Sequence, residues 1–144
     1  MPRSGSAPNW HRVVMTEIHH IGIRVGDLDA AIRVLGLAFA VEASHDLSPP
    51  AGGRRIAHVE FSNCRLELIH DPHAPLPGDQ QAVIDHIAIG SPDIYRDMSE
   101  LSRRGFASLD DAPREAAFGN LVAAYDDADF SGIKLHLVAE KVEE

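Results

Sequence analysis

From residue 18 onward the chain changes hydrophobic period several times, and the changes occur twice in the same order. Ile21, Ile23 and Val25 alternate with less apolar positions, which predicts a strand over 18–25. After Gly26-Asp27 the apolar residues Leu28, Ala31, Ile32 and Leu35 take the spacing of one helix face, with Gly36 as the expected stop. Residues 37–47 read as a strand with an irregular end, and Pro49-Pro50-Ala51-Gly52-Gly53 as a loop. Strands over 54–61 and 64–70 meet in a two-residue turn at Ser62-Asn63. Pro72, Pro75, Pro77 and Gly78 mark a linker over 71–82. The order then restarts with a strand over 83–89. Ser91 is the expected helix N-cap, with Pro92 at the first helical position and Ile94, Met98 and Leu101 on the buried face. Gly105 ends that helix. A short strand near 106–109, a loop over 110–119 and a hairpin from 120–126 and 132–139 complete the pattern.

Each half is therefore β-α-β-β-β, with module one at 17–70 and module two at 83–140. Neither half alone has enough strand and helix to close a core, so the expectation is one α+β domain over 17–140. Residues 1–16, rich in Pro, Ser and Gly, read as a flexible tail without the apolar core of a signal peptide. Met15, directly before the first strand, is an alternative start to Met1.

Composition narrows the function classes. The chain has 144 residues, 44% hydrophobic and 24% charged, ordinary values for a soluble domain. A net charge of −9 argues against a nucleic-acid partner. No apolar run reaches the roughly 20 residues that span a bilayer. The single cysteine, Cys64, excludes an internal disulfide and fits the cytoplasm.

The repeat carries the chemistry. Ile18-His19-His20-Ile21-Gly22-Ile23 recurs as Ile84-Asp85-His86-Ile87-Ala88-Ile89, and Leu66-Glu67-Leu68-Ile69 as Leu135-His136-Leu137-Val138. His20 and His86 are thus equivalent, as are Glu67 and His136. A pseudo-two-fold would gather all four, and three imidazoles with one carboxylate suit a divalent transition metal. Strand alternation puts His20, Glu67, His86 and His136 on the helix-free face. His19 shares the parity of Ile21 and Ile23 and is expected beneath the helix. The Ser62-Asn63 turn pairs His58 with Glu67, making His58 a partner for the carboxylate, and pairs Glu60 with Arg65. Lys134 faces the cleft, where it suits a substrate carboxylate or phosphate.

With these residues in view, the chain resembles the vicinal oxygen chelate superfamily (glyoxalase I, bleomycin-resistance proteins, extradiol dioxygenases), and within it most the methylmalonyl-CoA epimerase branch. The likeness runs over IHHIGIRVGDLDAAI at 18–32, NCRLELIHD at 63–71, IDHIAI at 84–89, APREAAFGN at 112–120 and GIKLHLVAE at 132–140. It implies two modules forming a cupped, barrel-like mixed sheet around a metal, one helix per module outside, and a homodimer. The family's ligand positions fall on His20, Glu67, His86 and His136, where the last is usually Glu. It further implies an enzyme with one Zn, Fe, Co, Ni or Mn ion. That enzyme would transfer a proton α to a carbonyl of a small oxygen-rich or acyl-thioester substrate, with Glu67 and His136 as the catalytic pair. Two alternatives stand beside it: an Fe(II) extradiol-type dioxygenase, and a metal-free small-molecule binding or resistance protein.

Overall fold

Strand, helix and three further strands follow one another twice in the computed structural model, which describes residues 17–47 and 51–141. Module one comprises β1 (Glu17–Val25), α1 (Leu28–Phe39), β2 (Ala43–His45), β3 (Arg55–Glu60) and β4 (Arg65–His70). Module two comprises β5 (Ala82–Gly90), α2 (Ile94–Arg103), β6 (Arg114–Glu115), β7 (Leu121–Ala124) and β8 (Leu135–Ala139). The expected tail, including Met15, and Pro49-Pro50 lie outside the described residues.

The strands form one curled mixed sheet in the order β2-β3-β4-β1-β5-β8-β7-β6. That order is the repeat reflected about its middle. β1 and β5 run antiparallel at the centre, each flanked by the last strand of its own module in parallel. Each helix covers its own half. Leu28, Ala31, Ile32 and Leu35 of α1 pack on Ala57, Val59 and Leu68. Ile94, Met98 and Leu101 of α2 pack on Ala123, Tyr125 and Leu137. Because side chains alternate along a strand, the residues between these apolar ones face the other side of the sheet, and the site forms there.

Four local expectations need correction. α1 does not stop at Gly36 but runs to Phe39 and ends at Ala40, whose left-handed backbone (φ 57°) lets its N–H donate to the Gly36 carbonyl at 2.9 Å. Gly36 contributes space: a Cβ there would stand 3.2 Å from the Val41 carbonyl oxygen. Accordingly 37–39 is helical and only Ala43–His45 of the expected strand pairs with β3. The N-cap of α2 is Asp93, accepting from the Arg96 N–H at 3.1 Å, as its repeat partner Asp27 accepts from Ala30. Ser91 stands two residues before that cap, where its N–H donates to the Val138 carbonyl of β8 and its buried hydroxyl donates to Asp97 at 2.6 Å. Finally, the strand expected near 106–109 reduces to one bridge, Ser108 to Tyr125, because Phe106 turns under α2. The loop after it contains β6 and a 3-10 turn at Ala117–Gly119.

The central β1–β5 pairing is interrupted twice. Ile18 opposes Ile89 and His20 opposes Ala88, so His19 is an extra residue in β1. Gly22 opposes His86 and Ile23 opposes Ile84, so Asp85 is an extra residue in β5. His19 and Asp85 occupy the same place in the two repeats.

Candidate metal centre

Strand register sets the site. Glu67 of β4, Gly22 of β1 and His86 of β5 lie side by side in one row; His20 of β1, Ala88 of β5 and His136 of β8 form the next. Each row has a polar side chain at either end and a small residue between. Gly22 is required by contact rather than by backbone conformation: a Cβ there would lie 2.2 Å from Cε1 of His86.

Across these rows the structure brings His20, Glu67 and His86 together. All three are buried, and one ligand atom from each lies within 4.8 Å of the others. The His20 Nε2 is 3.1 Å from the His86 Nε2, and Glu67 Oε1 is 3.5 Å and 3.7 Å from these two nitrogens. Around one ion with bonds of about 2.1 Å, neighbouring donors stand about 3.0 Å apart at right angles and about 3.4 Å at the tetrahedral angle. The three observed edges are close to this, so two imidazoles and a carboxylate fit one face of a transition-metal shell. His136 lies beside this trio rather than within it. Its ring stacks on that of His86 at 4.1 Å between centroids, and it lines the same cleft.

Each member of the trio is held from behind. His58 Nε2 bonds Glu67 Oε2 at 2.9 Å, as the hairpin register requires. The His58 ring is stacked at 3.9 Å on Phe118, from the 3-10 turn of module two. Phe118 sits in the left-handed region (φ 61°), an uncommon backbone for an aromatic residue. Asp85 Oδ2 accepts from His86 Nδ1 at 2.8 Å, and Lys134 Nζ is 3.4 Å from the same oxygen. His20 Nδ1 is 2.7 Å from His19 Nδ1, whose Nε2 is 2.8 Å from Glu140 Oε2. His19 is thus not beneath a helix. The bulge it forms breaks strand parity and turns its ring toward His20, Glu140 and Arg65. Arg65 also pairs with Glu60, the expected cross-strand ion pair.

The electrostatics follow from these contacts. Burial alone would raise the Glu67 carboxyl, but hydrogen bonds and charge from His20 and His58 outweigh it and hold the group well below the usual carboxylate range. The bond from His86, against burial and with Lys134 nearby, holds Asp85 at about 2. His136 is pushed down to about 3, first by burial and then by the neighbouring His86, Lys134 and Arg114. At neutral pH its ring is uncharged, the form in which an imidazole ligates.

The trio opens into a cleft of about 500 Å³. Its walls carry four cations, Arg24, Arg54, Arg114 and Lys134, beside the carboxylates Glu67, Asp71 and Asp85. Arg24 donates to the Ala74 and Pro75 carbonyls, Arg114 pairs with Asp110, and the Arg54 Nε is buried without a hydrogen-bond partner. Strand alternation puts Arg24 on the face of His20, whereas the parts played here by Arg54, Arg114, Phe118, His19, Asp85 and Glu140 are not legible in the sequence pattern. The repeat held the one available signal, since His19 and Asp85 immediately precede the two equivalent histidines.

Comparison with known proteins agrees with this fold. The profile of the Glyoxalase/Bleomycin resistance protein/Dioxygenase superfamily matches residues 19–125. The mitochondrial methylmalonyl-CoA epimerase of Mus musculus is 22% identical over 138 residues, spanning 92% of this chain and 76% of the relative. The crystal structure of methylmalonyl-CoA epimerase from Mycobacterium tuberculosis superposes with a TM-score of 0.79 at 20% identity, covering 90% of this chain and 91% of the other. A Streptomyces coelicolor methylmalonyl-CoA epimerase bound to 2-nitronate-propionyl-CoA is 25% identical with a TM-score of 0.77, covering 90% and 98%.

Proposed function

We propose that this chain, which belongs to the Glyoxalase/Bleomycin resistance protein/Dioxygenase superfamily, is a metal-dependent enzyme that transfers a proton α to a carbonyl of a small anionic acyl thioester. The observation that carries this reading is the convergence of His20, Glu67 and His86 on one point in a cleft whose walls include Arg24, Arg54, Arg114 and Lys134. The relatives named as methylmalonyl-CoA epimerases point to the same class of substrate.

His20, Glu67 and His86 would hold one divalent ion, with His136 as the fourth group. Imidazole donors favour Zn, Fe, Co, Ni or Mn over Mg or Ca. Such an ion supplies Lewis-acid stabilisation of the negative charge that develops on a substrate oxygen when the α-proton leaves. The residues do the rest. Arg24, Arg54, Arg114 and Lys134 attract and orient the substrate's negative groups. Glu67 and His136 would form the proton-transfer pair: one would take the α-proton, and the other, in its protonated form, would return a proton on the opposite face. His58 anchors Glu67 through Oε2, which leaves Oε1 facing the centre.

A second reading rests on one specific observation. Two histidines and one carboxylate sharing a face are also the donor set of non-haem Fe(II) oxygenases, so an extradiol-type dioxygenase is the alternative enzyme.

Metal analysis of tag-free protein is the first test. About one transition-metal equivalent per chain, lost in His20→Ala and His86→Ala, is expected. Incubation with a methylmalonyl-type thioester in D₂O should then place deuterium at the α-carbon, and Glu67→Gln should abolish the exchange. Oxygen uptake with catechols, without exchange, transfers the assignment to the dioxygenase. A protein that takes up none of the five metals yet binds a small ligand saturably is a binding module.

A further inference from the structure

The two histidines of the trio are backed by unlike partners, although the partners occupy the same bulge in the two repeats. Behind His86 is a carboxylate. Asp85 accepts, so His86 Nδ1 carries the hydrogen and its Nε2 presents a lone pair. Behind His20 is a second imidazole, His19, which can donate or accept. The far nitrogen of His19 in turn meets one group of each kind: Arg65 Nη1, which only donates, at 3.2 Å, and Glu140 Oε2, which only accepts, at 2.8 Å.

These partners permit two hydrogen orders, and a metal decides between them. Without metal, the His86 Nε2 lone pair at 3.1 Å requires His20 to donate from Nε2. His20 Nδ1 is then the acceptor, His19 Nδ1 donates to it, and His19 Nε2 accepts from Arg65; Glu140, with no hydrogen left to accept from His19 at 2.8 Å, must draw back from Nε2 and keep only its contact with Arg65. With metal on both Nε2 atoms, His20 must carry its hydrogen on Nδ1. His19 Nδ1 then accepts, and His19 Nε2 donates to Glu140. Each ring keeps one hydrogen throughout. The direction of the chain reverses, and no proton is gained or lost.

We infer that metal binding at His20 reverses this hydrogen-bond chain and switches His19 from its Nδ1–H to its Nε2–H tautomer, with Arg65 and Glu140 as the alternative end partners. His19 is a positioning residue, and Glu140, on the chain just beyond β8, favours the tautomer that ligation requires. The inference rests on the metal reading above and adds a second event to it, nearly at the protein surface. Asp85 admits no such reversal, so only one half of the repeat switches.

The test reads imidazole tautomers by long-range ¹H–¹⁵N correlation on the full chain at mildly alkaline pH, metal-free and with one equivalent of Zn²⁺. Expected on zinc addition are loss of the His20 Nε2–H form, an unchanged His86 Nδ1–H, and conversion of His19 from Nδ1–H to Nε2–H. If zinc moves the His20 and His86 signals but His19 keeps its tautomer, the switch is wrong and the metal site stands. If zinc moves none of them, the metal reading falls and the switch with it. Two variants separate positioning from packing. His19→Ala should weaken zinc binding by about 10–100-fold, the usual effect of losing such a partner. His19→Asn, whose amide oxygen can accept from His20 Nδ1–H, should restore most of that loss. Equal losses in both variants, at unchanged metal-free Tm, also overturn the inference.

Discussion

Gly22 lies directly beneath the imidazole of His86, so close that a Cβ would fall 2.5 Å from Nδ1 and 2.6 Å from Nε2. His86 has little freedom to yield, since it is buried and bonded to Asp85. Gly22→Ala should therefore displace the ring. The expected result is a loss of metal affinity of at least tenfold, with about 1–3 kcal/mol of overpacking strain. Calorimetric titration and denaturant unfolding measure the two, and an unchanged affinity would show that His86 is not held where the structure places it.

His58 and Phe118 come from different modules, and their stack joins the loop of module two to the carboxylate of module one. His58→Ala strips Glu67 Oε2 of its partner in a buried setting, which costs about 1–3 kcal/mol. Metal affinity should fall about 10–100-fold. Phe118→Ala should give a smaller loss of the same kind, because it removes the stack and keeps the bond. If Phe118→Ala is the more damaging to affinity, the loop acts on the metal by another route.

His136 gives a pH signature in the metal-free protein. Its folded value near 3 lies below the 6.5 of an ordinary histidine, so between these values the unfolded chain binds more protons. Its contribution to stability is complete above about 6.5 and is lost as pH falls toward 3, by up to roughly 1 kcal/mol per pH unit. His136→Gln should flatten the dependence of the urea midpoint on pH in that window. Equal slopes in the two proteins would place the acid sensitivity elsewhere.

His136 also bears on the chemistry. His136→Ala should lower metal affinity several-fold or more if the ring ligates, and unchanged metal content removes it from the shell. His136→Glu supplies the acidic residue that the family resemblance leads one to expect at this position. Epimerase activity that appears only in that variant would identify the natural protein as a relative with different chemistry.

Asp97 is wholly buried in α2 and accepts from the Ser91 hydroxyl and from Arg96. Asp97→Ala leaves the buried hydroxyl without an acceptor and should cost about 1–3 kcal/mol. Thermal unfolding should shift by several degrees with zinc affinity unaffected, since this contact lies away from the trio.

The repeat and the strand alternation alone determined a large part of this protein. They paired His20 with His86, put both on the face of Glu67, and through the Ser62-Asn63 turn set His58 opposite Glu67. Such features are legible because they depend on neighbours one to four residues apart along the chain, or on a single tight turn. Tertiary structure decided what depends on contacts between distant segments. The bulges at His19 and Asp85 arise from the pairing of β1 with β5, and a one-residue slip there turns a side chain expected beneath a helix toward His20. The crowding that requires Gly22, the stacking of Phe118 on His58, and the gathering of Arg24, Arg54, Arg114 and Lys134 around one cleft likewise join residues far apart in sequence. Even the end of α1 falls at the left-handed Ala40 and not at Gly36. Periodicity records which way a side chain faces within its own strand; it carries no record of which strand lies beside it, and at this site the neighbouring strands supply the partners.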